Sequence, residues 1–360
     1  IRKFSLLTLL ISLALSACQS PVVPTSTPTP THTITPSQTA TVPAPTDTPQ
    51  PEPTDSQIVI AESDYLLSGS LEVGYANAMV WSAASDHLAV LAQNEVTIVS
   101  VPELERVSYF AVQDPNLILD VSPDTQTVAI SEGFENILLV DLMSGETICT
   151  IAEGRFMGAS FSVDGLQLAV ASGEEWLVNI YAVYSCSLAQ TLTGFETAAP
   201  IYNAGFTPDP KLLAWFARGT LQFQSIEDAT LFPALHHEDF INTFTVALSN
   251  AVAGVSAAGL VDGEYTPLLI LWNLVTGAEI FKFPLPEPAY SLSFHPDNDK
   301  IAIGMNEEIW ILDILTASTP LHSLTGNTGG IASLAYSPDG QWLASIGADN
   351  QLMLWAVSDD

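Results

Sequence analysis

Two short stretches carry side chains that could do chemistry together. His236-His237-Glu238-Asp239 and Asp262-Gly263-Glu264-Tyr265 offer imidazoles and carboxylates. Such groups hold metal ions or act as general acid and base. More carboxylates stand at Glu95, Glu132, Glu135, Glu174, Glu175, Glu307, Glu308 and Asp349, with Trp176 beside the fourth and fifth of these. The cysteines are Cys18, Cys149 and Cys186, with no Cys-x-x-Cys or Cys/His ligand spacing, so no zinc centre is expected. H-E-x-x-H, G-x-S-x-G and P-loop motifs are absent. Hence no catalytic residue, metal or cofactor is assigned. Polar surface loops account for the His and carboxylate stretches as well as a site does.

Composition narrows the classes. The 360 residues include 40 acidic against 8 basic side chains, for a formal charge of −32. Binding to phosphate backbones needs clustered Lys and Arg, so a nucleic-acid partner is excluded. Adsorption to anionic headgroups is disfavoured for the same reason. With 48% hydrophobic and only 13% charged residues, the chain is not an acidic disordered polymer.

The elements that would position these residues begin after an address. Arg2 and Lys3 precede an apolar run from Phe4 to Leu15, too short to span a bilayer as a mature helix. Leu15-Ser16-Ala17-Cys18 resembles the lipobox of bacterial lipoproteins. The resemblance implies that residues 1–17 are a signal peptide and that Cys18 carries palmitate-type acyl chains. Residues 19–56 contain 10 Pro and 11 Thr without hydrophobic periodicity, which predicts a disordered, extended tether of roughly 120 Å at most. The expected location is extracytoplasmic, on the outer face of the cell membrane or on the outer membrane of a Gram-negative cell. Contact with the membrane is through the lipid anchor alone.

Residues 57–360 repeat one unit seven times. Ser333-Leu334-Ala335-Tyr336-Ser337-Pro338-Asp339-Gly340 is the clearest start, followed by Trp342-Leu343-Ala344-Ser345 and Leu352-Met353-Leu354-Trp355. Related starts end on Phe294, Phe206, Phe161 and Val121, with degenerate ones at Trp81 and Val246. These markers lie 40 to 48 residues apart. Pro presets φ, Asp bonds its own backbone and Gly accepts positive φ, so each unit predicts two strands around a tight turn and two strands after it. Period, turn and apolar-Trp strand endings resemble the WD-repeat β-propeller. The resemblance implies an all-β fold of seven four-stranded antiparallel blades. It implies that an N-terminal strand, expected within Ile58–Leu67, completes the last blade. The Gly-His pair frequent in that family is replaced by Gly194-Phe195 and Gly326-Asn327, and its loop Asp survives clearly only as Asp349. The family's buried His-Asp network is therefore not carried over.

Propeller topology gathers the loops between second and third strands with those between blades on one face. Carboxylates from six units would ring that face, with Arg218 as the exception in the fourth, though loops also collect acids simply to stay soluble. His236-His237-Glu238-Asp239 and an unusually long loop at Asp262-Gly263-Glu264-Tyr265 would share the fifth blade's sector. Trp81, Trp215, Trp310 and Trp342 are assigned to packing between blades. Cys149 falls in an outer strand of the second blade and Cys186 in a turn of the third. Two separate thiols are expected, with an inter-blade disulfide as the alternative. The leading expectation is a non-enzymatic, monomeric binding module for a protein or peptide partner, favouring a basic one. The alternatives are a hydrolase or lyase acting on polysaccharide or lactone, and a metal-stabilised structural envelope protein.

Overall fold

The computed structural model describes residues 64–358, except 93–94, 112–117, 134, 153, 173–176, 194–202, 208, 210, 218–219, 237–245, 249–251, 262–263, 275 and 315–319. For some strand residues, His236, Glu264 and Tyr265 among them, the backbone alone is described. Cys18 and the proposed signal and tether lie outside the described residues.

Turn chemistry sets the repeat. Ser337 Oγ bonds Asp339 Oδ1 at 2.5 Å and accepts the Trp342 N–H at 3.0 Å, closing the hairpin. Ser122 with Asp124 and Thr127, and Ser162 with Asp164 and Gln167, repeat the arrangement. The residue after each Asp needs positive φ. Gly165 (71°) and Gly340 (74°) supply it freely, while Thr125 (57°) and Asn298 (59°) adopt it without glycine.

Seven four-stranded antiparallel sheets result, so the fold is a seven-bladed β-propeller. Blades one to six use consecutive strands. Their first strands are Ala76–Trp81, Ile118–Val121, Phe156–Phe161, Asn203–Phe206, Val246–Leu248 and Ser291–Phe294. Blade seven joins Ile331–Tyr336, Trp342–Gly347 and Gln351–Val357 to the chain's first strand, Tyr65–Glu72. First strands of neighbouring blades touch, as Phe156–Phe161 with Asn203–Phe206 and Ser291–Phe294 with Ile331–Tyr336, so these strands line the axis. The apolar core is divided among the seams. Trp81 and Leu88 of blade one pack with Ile346 and Leu354 of blade seven, and Ile137 of blade two packs with Phe161 and Leu168 of blade three. Trp81, Trp215 and Trp342 belong to these seams, as expected from sequence.

Ring closure is present; the described strand runs on to Glu72, beyond the Leu67 limit expected from sequence, while residues 58–63 lie outside the described residues. Tyr65 pairs with Val357 and Glu72 with Gln351, and a bulge between Leu67 and Gly69 corrects the register. Gly69 has a packing reason: a Cβ there would lie 3.0 Å from Leu104 Cδ1 of blade one.

Blade five departs from the sequence alignment twice. In the other six blades the marker residue pairs with the residue seven positions on, as in Phe294 with Ile301. Here the pair with that separation is Ala247 with Gly254, one residue beyond Val246. A slip of one exchanges the two faces of a strand, and no Pro-Asp-Gly signal marks this turn. The expected long loop is instead a long hairpin. Val252–Val261 pairs with Glu264–Asn273 at ten positions, against five or six in other blades. The added residues became ladder because they are largely β-branched, aromatic or apolar.

The expectation of two separate thiols is corrected: Cys149 and Cys186 form a disulfide, with Cα atoms 6.2 Å apart. It joins the outer strand of blade two, Thr147–Ala152, to the turn before the outer strand of blade three, Ser187–Leu192.

A second inter-blade tie is ionisable. Asp120, next to last in the first strand of blade two, accepts the Val121 N–H and, across the seam, the Phe161 N–H, each at 2.8 Å. Burial pushes its carboxyl up to about 6, against the opposing effect of these bonds and of the Ser160 hydroxyl. The unfolded carboxyl titrates near 4, so the native state holds the extra proton between about pH 4 and pH 6. Stability from this group is full below that window and falls through it by about 3 kcal/mol. At the same position in blade six, Ser293 Oγ accepts the Tyr336 N–H at 3.0 Å without charge. Asp120→Ser is therefore expected to keep the tie and remove the slope. Denaturant midpoints of both proteins at pH 4 and pH 7 give the test; a wild-type-minus-variant difference that does not change with pH rejects it.

Candidate functional site

The loop face opposite the Ser-Pro-Asp turns holds those of the carboxylates singled out from sequence that are described in full, and the structure gives them different employment. Asp349 is committed internally. Its Oδ2 accepts the Thr328 N–H at 2.7 Å, and its Oδ1 takes the Gln351 N–H at 3.1 Å and faces Asn327 Nδ2 at 3.4 Å. Asn327, 3% exposed, also donates to the Gln351 carbonyl at 2.9 Å and accepts the Ser345 hydroxyl at 2.6 Å. Ser345 in turn accepts the Trp355 indole N–H at 3.2 Å. A buried chain Trp355–Ser345–Asn327–Asp349 thus exists where no such network was expected from sequence. The side-chain amide of Asn327 presents both a donor and an acceptor, as a neutral imidazole does. A Cβ on Gly347 would fall 2.6 Å from Asp349 Oδ1 and 2.8 Å from Asn327 Cβ, so the approach requires glycine.

Graded losses are expected from this chain. Asn327→Leu orphans Ser345, Asp349 and the Gln351 carbonyl and is expected to cost about 3 kcal/mol. Trp355→Phe removes one N–H and should cost about 1 kcal/mol. Equal midpoints for the two variants in urea would show that the chain does not act as argued.

Glu95 accepts the Thr97 hydroxyl at 3.1 Å, and Glu132 accepts the Asn136 amide at 3.1 Å; Glu135 is exposed. These lie in blades one and two and do not converge with blade six. Glu307 and Glu308 do have neighbours. They sit in the turn between Lys300–Gly304 and Glu308–Asp313, beside a cavity of about 640 Å³. Its other walls are Pro286 and Glu287 of the loop entering blade six, Met305, Asn306, Trp310 and Gly329. Strand alternation puts Glu308 and Trp310 on one face, where Glu308 Oε2 accepts the indole N–H at 2.8 Å and the Ser323 hydroxyl at 3.1 Å. Glu287 holds the turn from the other side, accepting Asn306 N at 2.9 Å and Nδ2 at 2.5 Å. As expected from sequence, Trp310 packs against the apolar cluster shared by blades five and six. It is half-buried and lines this groove. The sequence signal that could have found it is the alternation of Glu308 and Trp310 next to a rim turn.

Among the described residues three carboxylates line the groove and no Lys, Arg or His does. Such walls attract a cationic side chain, and the Trp310 ring offers it a π-face. The remaining candidates stay unplaced. His237, Glu238, Asp239, Asp262, Glu174, Glu175, Trp176 and Arg218 lie outside the described residues. The backbone of His236 pairs with Thr220 at the outer edge of blade four, while Glu264 and Tyr265 pair with Val261 and Leu260 near the tip of the long hairpin. Among the described residues no three His, Cys, Asp or Glu side chains are grouped to hold a metal ion.

Residues 318–356 match the family model described as WD domain, G-beta repeat. This stretch contains Asn327, Ser345, Asp349 and Trp355, so the best-matched repeat is the one with the buried chain. Among curated proteins, the chain is similar to Echinoderm microtubule-associated protein-like 3 of Homo sapiens, 32% identical over 93 residues, covering 26% of this chain and 10% of that protein. It is similar to Protein TOPLESS-RELATED PROTEIN 2 of Oryza sativa subsp. japonica, 36% identical over 89 residues, covering 24% and 8%. It is also similar to Topless-related protein 4 of Arabidopsis thaliana, 30% identical over 122 residues, covering 33% and 10%. The chain spans about a tenth of the length of these relatives.

Proposed function

We propose that this propeller is a non-enzymatic interaction scaffold, anchored by lipid at Cys18 outside the cytoplasmic membrane, that recognises a basic segment of a protein partner on its loop face. The observation that carries the reading is the groove of Glu287, Glu307, Glu308 and Trp310, with three carboxylates and no basic side chain among the described residues of its lining. The match of one repeat to the WD family model supports protein binding. Topology supports display. The closing strand starts at Tyr65 opposite Val357, at the end of blade seven that bears the turns, so Asp64 and Tyr65 lie at the face away from the groove.

Titration of the chain with an Arg/Lys-rich peptide, read by tryptophan fluorescence, tests the site. Affinity is expected to fall as salt rises past the range where the Debye length is about 10 Å. Glu307→Gln/Glu308→Gln, which keeps the acceptor for Trp310, should weaken binding about tenfold. Binding insensitive to both salt and the double substitution would refute the groove. Labelling with a palmitate analogue, expected in the wild type and lost in Cys18→Ser, tests the anchor separately.

A further inference from the structure

A row of aromatic and polar side chains crosses the seam between blades six and seven near the turn face. His322 Nε2 contacts Asp64 Oδ2 at 3.0 Å at the outer end. The Tyr65 ring lies 5.4 Å from His322, and its hydroxyl bonds that of Tyr336 at 2.7 Å. At the inner end His295, 7% exposed, stands edge-on to Tyr336 with ring centroids 5.1 Å apart.

The hydrogen bonds of His295 define its protonation state. Nδ1 accepts the Asp297 N–H at 3.3 Å, so it carries no proton. Nε2 therefore carries one and donates to the Gly340 carbonyl at 3.3 Å. In this state a neighbour goes unserved. Asp299 Oδ1 is buried, accepts no hydrogen bond and lies 3.4 Å from His295 Nδ1. Its other oxygen is engaged by Lys300 Nζ at 3.6 Å. A buried carboxylate oxygen without a donor is costly. The ring lies close against the backbone of blade seven, where a Cβ at Gly340 would be 2.7 Å from Nε2.

We propose that His295 is a proton-uptake switch in the turn of blade six. A proton taken up at Nδ1 is donated to Asp299 Oδ1, and the Asp297 N–H loses its acceptor. The ring keeps its bond to Gly340, and the turn keeps its backbone bonds from Asn298 N to the His295 carbonyl and from His295 N to the Lys300 carbonyl. The seam to blade seven therefore holds while the Asp297 N–H is freed. The groups facing the ring are Asp297, with Oδ2 at 3.8 Å, Asp299 and its partner Lys300 on its own turn, and Tyr336, backed by Tyr65, on blade seven. Both phenols resist ionisation, since burial pushes Tyr65 up to about 12 and Tyr336 well above its ordinary range. They add no charge at neutral pH. The carboxylates are the charges that draw the proton.

The test is a pH titration of the full chain by NMR, with ¹³Cε1-labelled His and ¹⁵N-labelled Asp, from about pH 8 to about pH 5. The His295 resonance should titrate, and the Asp297 amide proton should move upfield in step with it. His322 is followed as a separate resonance. In Asp299→Asn the His295 midpoint should fall by about one pH unit. A stationary Asp297 amide while His295 titrates overturns the proposal, as does a midpoint indifferent to Asp299→Asn or a ring that stays neutral to pH 5. Because the amide readout needs only the wild type, a variant that fails to fold still leaves the test decisive.

Discussion

Removal of residues 1–72 is expected to cost the propeller its monomeric fold at 37 °C. The closing strand pairs seven positions with Gln351–Val357, and without it that strand becomes an open edge. The strand also clips three blades together. Tyr65 is 3% exposed within the seam between blades six and seven. The Asp64 carboxylate contacts His322 of blade six, and the Glu72 carbonyl accepts the Arg106 guanidinium of blade one. Burial of one aromatic contributes about 2–3 kcal/mol, and the ladder bonds add about 1 kcal/mol each. Together these exceed about 5 kcal/mol before the entropy of ordering the strand is set against them, a large share of the margin of an ordinary domain. Size-exclusion chromatography of residues 73–360 should show aggregate or swapped oligomer. Adding a synthetic peptide of residues 64–74 should restore the monomer, and the same peptide with Tyr65→Ala should bind at least about tenfold more weakly. A truncated chain that stays monomeric with an unchanged midpoint would mean that the ring does not depend on this clip.

What the sequence revealed is what local chemistry encodes. Ser337-Pro338-Asp339-Gly340 is legible because every bond of that turn lies within six residues. The blade count and the need for closure follow from repeating such turns. Blade five was misread by one residue because its turn lacks these residues, leaving apolar strands whose register is fixed only by pairing. The buried chain of blade seven was missed because the expected signal was a His, whereas Asn327 supplies the same donor and acceptor through an amide. Trp310 packs at a seam as its strand position implies, while its second role as a groove wall follows from a loop whose course the repeat does not encode. The carboxylates divide in the same way. Asp349 is spent on its own loop, while the groove in blade six depends on Glu287, which arrives from a different loop and carried no signal in sequence.

Reduction of the Cys149–Cys186 bond is expected to lower stability by about 4 kcal/mol, since the closed loop, with a separation of 37 residues, lies between the calibrated lengths. The loop contains the first three strands of blade three, so the crosslink restrains the unfolded chain over almost a whole blade. Little packing is at stake, because both sulfurs sit half-buried at the edge of the seam, each 3.9 Å from the Val183 carbonyl. Cys149→Ser and Cys149→Ser/Cys186→Ser should therefore lower the urea midpoint by the same amount as reduction of the wild type. A double variant as stable as the oxidised protein would contradict the crosslink argument, and a double variant much less stable than the reduced wild type would assign the loss to packing. Thiol counting ties the bond to the proposed location. An oxidising compartment keeps such a bond closed, so the protein isolated from its membrane and denatured without reductant should show no free thiol if Cys18 is acylated. One reactive thiol would place a free sulfur at Cys18 and remove the anchor while leaving the disulfide intact. Three would remove both.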